Sequence, residues 1–516
     1  MNFFEVTKTA ICFRNEGELL RIRPWGTNSL RVEASMMDQI PEGEIALMET
    51  EIDWDSVQIV QEDSRHAFIC NGNIRAELFV QEWGNGLMIT FRNQKGEILL
   101  QEITNGGALT RKARKFRSLQ GDLYHLTVNF QSEPNEKIYG MGQYQQEILD
   151  LKGCNLELAH RNSQASIPFY VSSLGYGFLW HNAAVGEVHF GKNTTEWVAN
   201  ATNKLDYWIT AGDTPAQIEK QYSEVTGTPP MMPEYGLGFW QCKLRYYNQE
   251  EVLRVAHEYK DRQIPIDVIV IDYYHWPRCG DWRFDEEYFP DPKGMVDELH
   301  ELGIETMVSI WPQVEWRSEN FEEMKQQGLL VKQNAGVDVQ MCFHGNNVFM
   351  DATNPRTREY VWEKCKKNYA DLGIRTFWLD EAEPEFLNYD YEMYRYYAGP
   401  VAAVGNIYPR EYSRLFYEGQ RENNQEDIVN LVRCAWVGSQ KYGALVWSGD
   451  IWSSYEDFRK QICAGLQMGL CGIPWWTTDI GVSIPAPIEP PVRSLRATIP
   501  AAQSHPSGGV NHHSGK

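Results

Sequence analysis

The sequence predicts an α/β protein: a TIM-type (β/α)8 barrel lacking its eighth strand, preceded by an N-terminal antiparallel β-sandwich. Three observations predict it. Residues 1–220 read as short strands broken by Gly/Asn/Asp turns, as in an antiparallel sandwich. From Tyr235 onward, apolar strands alternate with amphipathic helical stretches of about 10–15 residues, as in parallel strands joined by right-handed crossovers. The 516 residues suit one sandwich plus one large barrel as well as they suit the three domains that length alone suggests.

In the first domain, residues 1–229, Leu20-Arg21-Ile22-Arg23 and Ile74-Arg75-Ala76-Glu77-Leu78 alternate apolar with polar residues, and Leu87-Met88-Ile89-Thr90-Phe91 is more continuously apolar. Ile167–Ser173 and Gly175–Trp180 belong to the same sandwich. A helical stretch near 215–226 ends at Gly227-Thr228-Pro229-Pro230, a Pro-rich break that sets the domain boundary.

The second domain, residues 230–481, reads as seven strand–helix steps. Gly236–Gln241 is strand one, followed by a helix around 249–262. Asp267–Asp272 is almost continuously apolar, as a strand buried on both faces must be. A helix around 294–302 ends at Gly303, a suitable C-cap. Strand three is Glu305–Trp311, helices follow near 320–327 and 355–371, and strand four is Thr376–Asp380. Further strands lie near 428–434, 444–448 and 471–476, one short of closure. From Gly481 prolines crowd the chain, and residues 482–516 read as a disordered or non-native tail on a truncated barrel. The expectation is that strand 471–476 then faces solvent, and that the chain is aggregation-prone and weakly active.

Composition narrows the function. A net charge of −22 disfavours nucleic acid and anionic membranes as partners and points to a neutral or cationic substrate. No run of about 18 apolar residues exists, and the N-terminus lacks the pattern of a signal peptide. Ten cysteines without C-x-x-C pairs or zinc spacing read as buried thiols of a cytoplasmic protein, and Asn193-Thr194-Thr195 is then a chance glycosylation triplet. No nucleotide-binding glycine motif and no metal-ligand cluster is present, so no cofactor is expected. The 18 tryptophans and 26 tyrosines mostly fill cores, yet the excess also suits stacking on sugar rings.

Reactive side chains of such barrels sit at the C-terminal ends of strands. Those ends carry Asp272, Asp380, Asp450 and Asp479, accompanied by Trp240, Tyr273, Trp276, Trp311, Trp378, Trp447 and Trp475. Each aspartate alone could cap the following helix, but four would converge on one pocket. Carboxylate pairs beside aromatic platforms suit glycoside hydrolysis, in which one carboxylate stabilises an oxocarbenium-like transition state and another protonates the leaving oxygen.

From residue 135 to 480 the sequence resembles glycoside hydrolase family 31, retaining α-glycosidases that include α-glucosidases and α-xylosidases. The matching motifs, in order, are Tyr139-Gly140-Met141-Gly142-Gln143, Gly236–Gln241, Ile271–Trp276, Phe289–Pro292, Trp378–Pro384, Trp447–Asp450 and Thr478–Gly481. The resemblance implies that Asp380 is the nucleophile and Asp450 the general acid/base. It implies that Arg433 contacts the substrate 2-hydroxyl and the nucleophile, that Asp272 binds distal hydroxyls, and that Trp378 and Trp311 form the aromatic floor. Trp447 and Asp479 join the substrate-binding set. Arg433 equally reads as an interior ion-pair partner of Asp380 or Asp479, and Glu381, Glu383 and Glu385 are rival nucleophiles from the same run. The stretch Asp272–Pro277 with Asp281–Asp285 looks more like the family's α-xylosidases, in which a bulky side chain near sugar C5 would exclude a hydroxymethyl group. The family's eighth strand and its Arg-x-His substrate contact are missing after Gly481.

The resulting expectation is a retaining α-glycosidase acting on a small neutral sugar or oligosaccharide, most of all an α-xyloside, with no cofactor and with a homo-oligomer compatible. The other readings are an α-glucosidase, a transglycosylase sharing the covalent intermediate, and an inactive carbohydrate-binding relative.

Overall fold

A computed structural model describes residues 2–43, 46–82, 86–103 and 112–479. The expected tail, 482–516, lies outside the described residues. Alternation drives the first domain: in Glu18–Pro24 and in Ile74–Val80 every second residue is buried. Eight antiparallel strands, from Phe4–Val6 at one edge to Ile138–Gln143 at the other, form one layer. Two five-stranded antiparallel sheets, one within 57–101 and one within 114–202, supply the apolar faces opposite it. One apolar cluster draws on all three sheets, with Trp197 against Phe178 at 5.3 Å and against Trp180 at 5.4 Å. Helix α1 (Pro215–Thr226) follows, with Thr214 Oγ1 accepting from the Gln217 N–H and a proline in its first turn.

The second domain is a parallel sheet whose strands pair in sequence order: β1 (Trp240–Lys243), β2 (Val268–Ile271), β3 (Glu305–Ile310), β4 (Thr376–Leu379), β5 (Asn430–Val432), β6 (Ala444–Trp447) and β7 (Trp476–Thr477). Its crossover helices are α2 (Gln249–Asp261), α3 (Pro292–Glu301), α4 (Phe321–Gln327), α5 (Pro355–Asn368), α6 (Tyr408–Glu422) and α7 (Tyr455–Leu470). A small three-stranded sheet of Gln313–Glu315, Met341–Cys342 and Asn346–Phe349 is inserted after β3.

Four expectations need correction. Strand one begins at Trp240 because a 3₁₀ turn occupies Glu234–Leu237; a Cβ on Gly238 would fall 1.9 Å from Asp267 Oδ2, so that glycine marks a close approach. Strand seven is only Trp476–Thr477: Cys471 caps α7, Gly472 takes φ +77°, and Pro474 cannot donate a ladder bond. Segment 471–476 faces solvent only in part and not as a strand: Cys471 and Ile473 are fully buried, Pro474 is exposed, and Trp475 and Trp476 are half-buried. Cysteine burial is also partial: Cys242, Cys279, Cys365, Cys434 and Cys471 are buried, whereas Cys342 is exposed. Helices α6 and α7 went unrecognised, although Pro409 in the first turn of one and the Ser454/Asp457 pair at the start of the other are N-terminal signals.

The two domains share a seam. The Gly142 N–H lies 3.1 Å from Cys471 Sγ, Gln467 Nε2 donates to the Leu149 carbonyl at 2.7 Å, and Trp476 Nε1 donates to Gln143 Oε1 at 2.7 Å. Gly142 is needed within the sandwich itself, for it takes φ +90° and a Cβ there would sit 2.2 Å from the Ala165 carbonyl oxygen of the paired strand. A second apolar cluster runs through the seam, from Phe169, Trp208 and Tyr222 to Ile269, Val446 and Ile473.

Candidate active site

Each strand delivers its polar residue by ending where it does. Asp380 follows β4 and still ladders to β3 through its N–H and the Ile310 carbonyl at 3.1 Å. Asp272 follows β2, Arg433 follows β5, Asp450 lies three residues past β6, and Asp479 two past β7. None of the four aspartates caps a helix; Asn248, Asp291, Asn354 and Ser454 do that work. The Asp272 turn is held by His275, whose Nδ1 meets the Asp272 carbonyl at 2.8 Å and whose Nε2 meets the Tyr369 hydroxyl at 3.0 Å. Burial pushes His275 down to about 4, so the ring is neutral and offers one donor and one acceptor.

Arg433 is the hub. Its Nε and Nη2 donate to the two oxygens of Glu383 at 2.7 and 2.9 Å. Nη2 also meets Glu381 at 3.3 Å and bonds Glu385. Its remaining nitrogen, Nη1, lies 3.4 Å from Asp380 Oδ1 and 3.8 Å from Asp450 Oδ2. Because both distances run to one atom, those oxygens are no more than about 7 Å apart. The predicted ion pair of Arg433 with Asp380 is therefore present, shared with four further carboxylates.

One cation cannot neutralise five acids. Burial pushes the Asp380 carboxyl up to about 7, with Arg433 pulling it down and Asp450 adding to the rise. Burial also raises Glu385, and holds Glu381 well above the usual carboxylate range. Asp272 is driven well up by burial too, with the charges of Asp380, Asp450 and Asp479 contributing. The charges of Asp380, Asp450 and Asp479 thus all bear on Asp272, and that of Asp450 bears on Asp380.

The aromatic residues divide into two groups. Trp311 packs with Tyr273 at 4.8 Å, Phe343 at 5.0 Å and Trp276 at 5.9 Å, forming a wall beside Asp272. Trp378 and Trp447 cross at 5.3 Å inside the sheet, among Trp240, Met307 and Leu431. Phe343 comes from the turn between Met341–Cys342 and Asn346–Phe349 of the inserted sheet, which the sequence reading did not identify.

Sequence reasoning also missed Asn162 and Ser163, both carried by the sandwich. Asn162 Nδ2 donates to Asp450 Oδ2 at 2.6 Å, the Asp450 N–H donates to Asn162 Oδ1 at 3.1 Å, and Ser163 Oγ donates to the Asp450 carbonyl at 3.1 Å. A polar Arg-Asn-Ser-Gln turn carries no chemical signature of its own.

Among known proteins, residues 229–483 match the TIM-barrel domain of the glycosyl hydrolases family 31. The chain is 51% identical over 490 residues to the uncharacterized family 31 glucosidase ORF2 of Pseudescherichia vulneris, covering 92% of this chain and 91% of that protein. The chain belongs to glycosyl hydrolase family 31. Family 31 membership makes it a glycoside hydrolase, as the strand-end aspartates and the motif order predict. An α-xylosidase of Saccharolobus solfataricus is 34% identical over 419 residues, which span 77% of this chain but 54% of that one. The crystal structure of a family 31 α-xylosidase from a soil metagenome, complexed with xylose, superposes with a TM-score of 0.90 at 53% identity, covering 93% of this chain and 72% of that one. Among the described residues, no helix is long and apolar enough to cross a membrane.

Proposed function

We propose that this family 31 chain is a retaining α-xylosidase, with Asp380 as nucleophile and Asp450 as general acid/base. The observation that carries this is the pair of carboxylates facing one guanidinium nitrogen at 3.4 and 3.8 Å. A gap capped at about 7 Å suits a retaining enzyme, whose carboxyls stand about 5–5.5 Å apart, better than most of the inverting range of about 6.5–9.5 Å. Asp380 attacks C1 of the bound sugar while Asp450 gives its proton to the departing oxygen. A covalent glycosyl-enzyme results, and Asp450 then takes a proton from the water that releases the sugar. As positive charge develops at C1, the ionised form of Asp380 is favoured over its protonated form, which offsets the effect of burial.

Selection of xylose is assigned to the wall of Tyr273, Trp311 and Phe343. Its rings pack at 4.8–5.6 Å and leave little freedom to admit a hydroxymethyl group, so a hexose would clash there. Asp272, beside that wall, takes the distal hydroxyls. The α-xylosidases among the relatives support this choice. A small neutral substrate fits the net charge of −22, and ten unpaired thiols fit a reducing compartment.

Initial rates on p-nitrophenyl α-xyloside and α-glucoside, with NMR of the first sugar anomer released, test the reading. The expected outcome is faster turnover of the xyloside with α-xylose formed first. A glucoside preference overturns the assignment of the aromatic wall, and β-xylose as first product overturns retention.

A further inference from the structure

We propose that Asn162, carried by the sandwich, is a positioning residue for proton transfer by Asp450. This inference rests on the reading of Asp450 as acid/base. The Asn162 amide is held by two bonds of opposite sense, donating to Asp450 Oδ2 at 2.6 Å and accepting from the Asp450 N–H at 3.1 Å. Flipping the amide would set oxygen against carboxylate and N–H against N–H, so its orientation is fixed. Arg433 Nη1 approaches the same oxygen, Oδ2, at 3.8 Å. The Asn162 N–H and the nearby Arg433 cation localise negative charge on Oδ2 and leave Oδ1 to carry the transferred proton.

The turn that presents Asn162 is itself braced from both domains. Ser163 adopts φ +64° and donates through Oγ to the Asp450 carbonyl. Gln145 donates to the Ser163 carbonyl at 2.7 Å and accepts from Gln461 of α7 at 2.8 Å. Buried His160 meets the Asn406 carbonyl at 3.0 Å, and Arg161 stacks its guanidinium 4.4 Å from the Tyr389 ring. Gly449, just before Asp450, has φ +72°, and a Cβ there would fall 2.6 Å from the Ser163 nitrogen. So many contacts around one short turn hold a catalytic side chain to the tight tolerance that proton transfer needs.

The test compares kcat/KM of Asn162→Ala and Asn162→Asp on p-nitrophenyl α-xyloside, whose leaving group needs no proton, and on methyl α-xyloside, whose leaving group does. Asn162→Asp keeps the shape and the acceptor for the Asp450 N–H while replacing the donor with a repelling oxygen. Both variants are expected to lose about ten- to a hundredfold on the methyl glycoside, the loss of a hydrogen bond to a charged group, and no more than about threefold on the aryl glycoside, while remaining folded at the assay temperature. Equal losses on both substrates, or none, while Asp450→Ala discriminates between them, overturn the proposal for Asn162. Equal losses for Asp450→Ala itself overturn the acid/base assignment, and this proposal with it.

Discussion

At the scale of single residues, the site is governed by a shortage of positive charge. Arg433 is shared by Asp380, Glu381, Glu383, Glu385 and Asp450, and burial lifts Asp380 to about 7. A nucleophile must be ionised, so kcat/KM on p-nitrophenyl α-xyloside should fall as pH drops through about 7, and a flat profile from pH 5 to 7 would contradict this. The stability consequence has the opposite sense. A carboxyl whose folded pKa exceeds its unfolded value of about 3.9 binds more protons folded than unfolded, so its contribution falls as pH rises from about 4 to about 7. Asp380→Asn removes that penalty while Arg433 keeps four acidic partners. It should therefore melt higher than the parent at pH 8, by a margin that vanishes near pH 4. Asp380→Ala should abolish turnover, and azide should restore it only as the glycosyl azide of opposite anomeric configuration.

At the scale of elements, strand ends aim the carboxylates and turns set their final placement. The link from β6 to α7 shows this best: Gly449 is left-handed, Asp450 follows, and Ser454 starts the helix by accepting from the Asp457 N–H at 3.1 Å. Gly449→Ala meets both an unfavourable φ and the Ser163 backbone. It should cut kcat on unactivated glycosides at least tenfold while costing about 1–2 kcal/mol of stability, read from kinetics beside a urea melt. An unchanged kcat would mean that the turn yields without moving Asp450.

At the scale of the whole molecule, the apolar cluster and the hydrogen bonds across the seam make sandwich and barrel one unit. Calorimetry should show a single transition, and two resolved transitions would refute that coupling. The expectation of poor solubility acquires a different physical source from the one inferred for segment 471–476. Helix α7 exposes Tyr455, Phe458, Ile462 and Leu466 along one face, each more than 40% accessible. Ile462→Lys with Leu466→Glu should raise the soluble fraction and leave kcat/KM unaltered, as measured by light scattering and assay.

How much was legible in advance follows from the range of the forces involved. Periodicity is local, so alternation in Leu20–Arg23, the apolar run ahead of Asp272 and the Gly303 stop after α3 could be read directly, as could four aspartates at four strand ends. Segment 471–476 misled because apolar composition marks burial without saying whether the buried chain is strand or turn; Gly472 and Pro474 decided it for turn. The sharing of Arg433 among five carboxylates, the rise of Asp380, the wall completed by Phe343 and the hold of Asn162 on Asp450 were not legible. Each depends on distances between residues tens to hundreds apart in the chain, and on how far water is excluded where they meet. The sequence by itself determined which chemical groups stand at the ends of the strands. Only the tertiary structure decided which share one cation and which domain steadies the acid, because electrostatics and hydrogen bonding act through space.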